Sequence, residues 1–192
     1  MTTSTKLSSL QGLSIFLIGM MGTGKSTLGE VLAQKLNYSF LDTDIIIEKL
    51  TKMSVSDIFA SQGETGFRGL ESQVLQEVCS YRKTVVATGG GIVLKKINWS
   101  YLKQGLIIWL DAPVDLLIQR LENDAEGTLP ARTRPLLLTS DLKNTLTELL
   151  NQRRTLYAEA DLHIEVKDAC SPLELADYIL EKIPTVLQTK EC

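Results

Sequence analysis

Gly19-Met-Met-Gly-Thr-Gly-Lys-Ser-Thr27 contains the full Gly-x-x-x-x-Gly-Lys-Ser pattern of a phosphate-binding loop. The apolar run of residues 13–18 leads into it. Leu28-Gly-Glu-Val-Leu-Ala-Gln-Lys-Leu36 follows, with apolar residues spaced as on one helix face. Strand, loop and helix thus stand in the order the motif requires, which separates it from a glycine-rich turn that holds nothing. Glycines let backbone N–H groups turn inward around a phosphate, and the helix starting near Lys25 adds its positive dipole end. Gly22, Thr23, Gly24 and Thr27 belong to that cradle. Lys25 can reach the β- and γ-phosphates as a point charge, and the Ser26 hydroxyl suits Mg²⁺. The pattern predicts a nucleoside triphosphate site.

The 192 residues suit one domain with a substantial core. A net charge of −3 provides no basic face for nucleic acid or an anionic membrane. The polar start, residues 1–11, is neither a secretory signal nor a membrane span, and it is too short and arginine-poor for an organelle transit peptide. Cys79, Cys170 and Cys192 are an odd number without metal-ligand spacing, which fits a reducing, cytoplasmic setting. Nothing in the chain advertises a dimer interface, so a monomer is expected.

Strand-like apolar runs at 14–18, 38–41, 84–87, 106–110 and 162–166 alternate with helical stretches at 25–36, 44–50, 54–60, 64–81, 113–121, 141–159 and 172–182. Leu-Ile-Ile-Trp-Leu at 106–110 is apolar on both faces, the mark of a parallel strand covered by helices on both sides. The alternation predicts an α/β fold of three layers. Residues 122–140, with Gly127, Pro130, Pro135 and two arginines, have no period and read as an active-site lid. The tail from Pro184 onward reads as frayed.

Four further groups of residues bear on chemistry. Asp42 and Asp44 follow the second strand, on the face where ligands of an open parallel sheet sit. One carboxylate can support Mg²⁺ while the other accepts a hydroxyl proton; the plainer reading is that an aspartate here caps the helix at 44–50. Arg68 and Glu71 are helical neighbours, either a surface ion pair or an arginine steered toward an anion. Gly89-Gly90-Gly91 after a buried strand implies close approach to the backbone or unusual dihedrals. Arg132, Arg134, Arg153 and Arg154 lie in and beyond the lid, and Arg134 is the better placed to close over a transferring phosphoryl group. Lone His163 reads as structural.

Taken in order, Gly-x-x-Gly-x-Gly-Lys-Ser-Thr, Leu-Asp-Thr-Asp, Phe-Arg-x-x-Glu, Gly-Gly-Gly, Arg-Pro-Leu-Leu and Arg-x-x-Leu-Tyr closely resemble shikimate kinases, over about residues 13–183. The resemblance implies a P-loop kinase with a three-layer α/β/α fold and a five-stranded parallel sheet in the order 2-3-1-4-5, forming one domain across residues 1–192. It implies transfer of the ATP γ-phosphoryl group to the 3-hydroxyl of shikimate, in the pathway to chorismate and aromatic amino acids. It assigns Lys25 and the loop amides to the phosphates, Ser26 to Mg²⁺, and Asp42 to the metal through water. Asp44 falls at the shikimate hydroxyls as the base. Arg68 and Arg153 fall at the shikimate carboxylate, Gly90 and Gly91 where backbone meets substrate, and Arg134 at the lid. Arg132 competes with Arg134 for that last role.

Two other readings differ from this one. A kinase of the same architecture acting on gluconate lacks a reason to combine Asp44, Arg68 and three glycines. A catalytically silent nucleotide-binding relative has no need of Lys25, both aspartates and the lid arginine together.

Overall fold

The computed structural model describes residues 10–123 and 141–190, and its central strand is the apolar run ahead of the phosphate loop. That strand, β1 (Ile15–Ile18), is buried along its length. In chain order there follow α1 (Lys25–Leu36), β2 (Ser39–Asp42), α2 (Thr43–Thr51), α3 (Val55–Val78), β3 (Thr84–Ala87), a 3₁₀ turn (Ile92–Leu94) and α4 (Lys96–Leu102). Then come β4 (Leu106–Asp111), α5 (Val114–Asn123), α6 (Leu142–Tyr157), β5 (Leu162–Glu165) and α7 (Pro172–Lys190). The five strands form one sheet in the order β2-β3-β1-β4-β5, with every neighbouring pair parallel. Leu106 to Leu110 in β4 are all buried, as a strand sandwiched between helix layers must be.

The register brings the strand ends into line. Leu17 and Asp42 both pair with Ala87, and Ile18 pairs with Trp109. The phosphate loop, Gly89–Gly91 and the start of α2 therefore emerge on the same edge of the sheet. That edge holds the switch point between the β3 side and the β4 side, where open α/β sheets bind ligands.

Several expected boundaries shift for local reasons. The cap of α2 is Asp42, not Asp44; its side chain accepts from the N–H groups of Asp44 and Ile45. The strand ends there, so Asp44 is helical and its orientation does not come from strand alternation. The separate helices expected at 54–60 and 64–81 are both present within α3 and meet at a kink where Gly63 has non-helical backbone angles (φ 67°, ψ −177°). Ser54 caps its first turn with a capping box to Asp57. Asp141 caps α6 as expected. Helix α7 runs through Pro184 to Lys190 rather than fraying, because Val186 and Leu187 pack against the core. Helix α5 extends through Asn123, into the start of the presumed lid. The rest of that segment, with Arg132 and Arg134, lies outside the described residues, as does Cys192.

Helix α4 was not anticipated. Its seven residues carry no clear period, and tertiary bonds hold it: Asn98 Nδ2 donates to Ile92 O at 2.8 Å, and Trp99 Nε1 donates to Val93 O at 3.0 Å.

Candidate active site

Gly24 caps α1 in the left-handed region (φ 91°), with no side chain supplying a cap. A residue with a Cβ is strained there, and the first amides of the helix stay directed out of its end. Thr23 Oγ1 donates to Met20 O at 2.8 Å and braces the loop. The Lys25 ammonium is buried inside the curve, donating to Gly19 O at 2.9 Å and Met20 O at 2.7 Å. These carbonyls keep the charge poised beside the phosphate cradle.

One helical step on, Ser26 Oγ donates to Asp42 Oδ2 at 2.6 Å, while Asp42 Oδ1 accepts from Asp44 N at 2.9 Å. Asp42 is thus a helix cap and the partner of the phosphate-loop serine at once. Burial raises its pKa above the ordinary carboxylate value, and the neighbouring charge of Asp44 pushes the same way. A buried hydroxyl–carboxylate pair next to a second carboxylate is a hard-oxygen setting that a divalent cation would relieve. Among the described residues, no cluster of three or more His, Cys, Asp or Glu side chains could hold a metal alone. A cation here would draw most of its ligands from phosphate and water, the usual manner of Mg²⁺.

Two of the three glycines, Gly89 and Gly91, have a steric explanation. None of the three has a positive φ, so unusual dihedrals are not the reason. A Cβ on Gly89 would collide with Glu71 Oε1 and sit 2.8 Å from Asp44 Oδ1. One on Gly91 would overlap the Arg68 guanidinium, and one on Gly90 would meet Arg153 Nη1 at 3.8 Å. Gly89 and Gly91 are therefore slots into which Asp44, Glu71 and Arg68 press from two helices, while Gly90 lies against the phosphate-loop backbone at Gly19 and Met21, with Arg153 in ordinary contact. Gly89 N–H donates to Thr43 Oγ1 at 3.1 Å, fastening the slots to the start of α2.

Arg68 is buried rather than on the surface. Its Nη1 donates to the fully buried Glu71 Oε2 at 2.8 Å, and its Nε and Nη2 face the half-exposed Glu64 at 3.3 and 3.2 Å. Burial opposes its charge, but the two carboxylates outweigh that and raise its pKa. Arg153 is also buried, donating to Gly90 O at 3.3 Å, whereas its neighbour Arg154 is exposed and pairs with Asp111 at 3.3 Å. The helix alone separates these adjacent arginines, since consecutive positions lie about 100° apart around its axis. The outcome is two buried guanidinium groups against neighbouring glycines, next to Asp44.

Two residues given no role by the sequence reading also stand at the site, Arg120 and the tyrosine that closes Arg-x-x-Leu-Tyr. Arg120 on α5 donates to Gly22 O at 3.4 Å and Thr23 O at 3.1 Å, across 97 residues of chain in the second case. It forms one wall of a cleft of about 510 Å³ that runs from the phosphate loop to Asp168, Cys170 and Leu175. Tyr157 is fully buried and donates to Gly90 O. His163 keeps its structural reading: its ring stacks on Trp109 at 4.1 Å, and Nε2 lies 3.1 Å from Asp111 Oδ2.

A phosphate loop at the sheet switch point, beside a carboxylate and a pair of buried arginines, defines a P-loop kinase of small molecules. The family model for shikimate kinase matches residues 21–184. A shikimate kinase of Microcystis aeruginosa is 53% identical over 188 residues, covering 98% of this chain and 95% of the other. The solved shikimate kinase of Acinetobacter baumannii in complex with shikimate superposes with a TM-score of 0.86 at 37% identity, covering 94% of this chain and 97% of that one. A gluconokinase of Sinorhizobium meliloti, at 21% identity and a TM-score of 0.58, shares the fold only. The chain belongs to the shikimate kinase family.

Proposed function

We propose that this chain transfers the γ-phosphoryl group of ATP to the 3-hydroxyl of shikimate, yielding shikimate 3-phosphate and ADP for the pathway to chorismate and aromatic amino acids. The observation that carries the substrate side is the pairing of buried Arg68 and Arg153 on adjacent glycines beside Asp44. A small acid with ring hydroxyls needs a cationic clamp at its carboxylate and an acceptor at the reacting hydroxyl. Guanidinium forks suit the first need and Asp44 the second.

In this reading the 3-hydroxyl oxygen bonds to Pγ as the bond from Pγ to the bridging oxygen of ADP breaks. The hydroxyl proton passes to Asp44. Lys25 leaves its loop carbonyls for the β- and γ-phosphates and follows the charge as it moves. Ser26 and, through water, Asp42 would hold Mg²⁺, which neutralises phosphate charge and aligns the γ-group. Gly22, Thr23, Gly24 and Thr27 line the phosphate path, and the cleft beside Arg120 has room for the base. Arg134 is the proposed lid arginine, with Arg132 its competitor. Catalysis is then mainly positioning and charge stabilisation.

The same reading has the chain act as one kinase domain, as a monomer, in the cytoplasm. One continuous buried cluster spanning the sheet supports the single domain. Among the described residues no helix is long and apolar enough to cross a membrane. The deciding experiment is ADP release measured with shikimate and with gluconate as acceptor. Turnover with gluconate but not shikimate would overturn the assignment.

A further inference from the structure

Tyr157 takes no part in the clamp described above, yet it is fully buried at the end of α6 and its hydroxyl donates to Gly90 O. Its ring packs against Trp109 with centroids 5.8 Å apart, and Met20 Sδ lies 3.7 Å from the hydroxyl. One helical turn earlier, Arg153 Nη1 donates to the same carbonyl at 3.3 Å. Two donors from one helix face, four residues apart, thus converge on a single peptide oxygen.

The peptide between Gly90 and Gly91 is trans and planar, so its N–H points opposite to its C=O. Holding the Gly90 oxygen against α6 therefore also sets where the Gly91 N–H is aimed. Neither Gly90 N–H nor Gly91 N–H has a hydrogen-bond partner among the described residues, although both glycines are buried. Buried backbone donors are nearly always satisfied. Gly91 also lies against the Arg68 guanidinium. A peptide flanked by two glycines has little steric resistance to rotating as a unit, so a bond to its oxygen is what selects one orientation.

We infer that Tyr157 is a positioning residue for the acceptor substrate. Its hydroxyl fixes the Gly90–Gly91 peptide so that the Gly91 N–H is presented as a donor to the substrate while Arg153 is registered on the same carbonyl. The inference rests on the shikimate reading given above.

The test is Tyr157→Phe, which keeps the ring and its packing on Trp109 and removes only the hydroxyl. KM for shikimate should rise roughly 3–10-fold, the loss expected from one hydrogen bond. KM for ATP and kcat should stay within about twofold, and thermal melting should be nearly unchanged. A wild-type KM for shikimate in the variant overturns the positioning role. So does an equal rise in both KM values, or a large drop in melting temperature, since a purely structural hydroxyl acts that way. A wild-type enzyme that ignores shikimate overturns both the function and this role; an active wild type with an indistinguishable variant overturns this role alone.

Discussion

Gly91→Ala should separate the acceptor site from the nucleotide site. The added Cβ would overlap Arg68 at Cζ, Nη1 and Nη2. Arg68 cannot retreat cheaply, because its Nη1 is held at 2.8 Å by the fully buried Glu71 and its guanidinium lies 5.3 Å from the centre of the Phe67 ring. Regaining ordinary contact moves the guanidinium by about 1 Å, a misplacement that can cost up to about 10²-fold in rate. Losing the charge-assisted bond to Glu71 costs about 1.5–3 kcal/mol more in stability. In a coupled ADP-release assay, kcat/KM for shikimate should fall roughly 10–10²-fold, mostly through KM, with KM for ATP within about twofold. Melting temperature should fall by several degrees, since about 1 kcal/mol moves it by 2–4 °C at this chain size. Gly69→Ala is the control: it lies on the same helix as Arg68, with nothing within 4 Å of a new Cβ. That change should leave both KM values alone and stabilise the helix by roughly 0.5–1 kcal/mol. An unchanged KM for shikimate in Gly91→Ala, or an equal rise for both substrates, would refute the reasoning.

Lys25→Met should abolish turnover in a folded protein, checked by circular dichroism alongside the assay; near-normal turnover would remove the phosphate-loop assignment. Arg153→Ala should weaken shikimate binding by about 2–5 kcal/mol, as expected when one partner of a desolvated charge contact is lost, while exposed Arg154→Ala should leave it unchanged. Isothermal titration of the two variants distinguishes them. Asp44→Asn should lower kcat by roughly 10²–10⁴-fold, with the low end favoured because a loose transition state asks little of a base. Asp42→Asn should raise the Mg²⁺ concentration needed for half-maximal rate. The folded pKa of Asp42 lies above the ordinary 3.8, so its ionisation costs stability as pH rises through the folded value. Metal-free Asp42→Asn should therefore melt above the wild type at pH 7. The gap should narrow as pH falls toward 3.8 and close below it, where the wild-type carboxyl is protonated in both states. A variant that melts lower at pH 7 counts against this.

Local chemistry made much of the chain legible in the sequence. The phosphate loop and α1 are coded by contiguous residues, and a glycine at position 24 allows the left-handed cap the loop needs. Buried runs such as Leu106–Leu110 report their own double-sided burial, and the strand–helix alternation carries the three-layer fold. Asp42 and Asp44 could be located but not distinguished, because a cap and a metal-side carboxylate share one sequence signature; the structure makes Asp42 the cap of α2 and the acceptor of the Ser26 hydroxyl.

Tertiary structure alone decided which side chains meet. Three glycines in a row announced a close approach, but only the packing of α2 and α3 against Gly89 and Gly91 shows that Asp44, Glu71 and Arg68 are what approaches. Adjacent Arg153 and Arg154 look alike in sequence and are separated by the face of α6 each occupies. Arg120 on the phosphate loop and Tyr157 on Gly90 span 97 and 67 residues, respectively. No local preference encodes such contacts. They exist because the parallel sheet brings the strand ends to one edge, where distant helices pack against the same short loops.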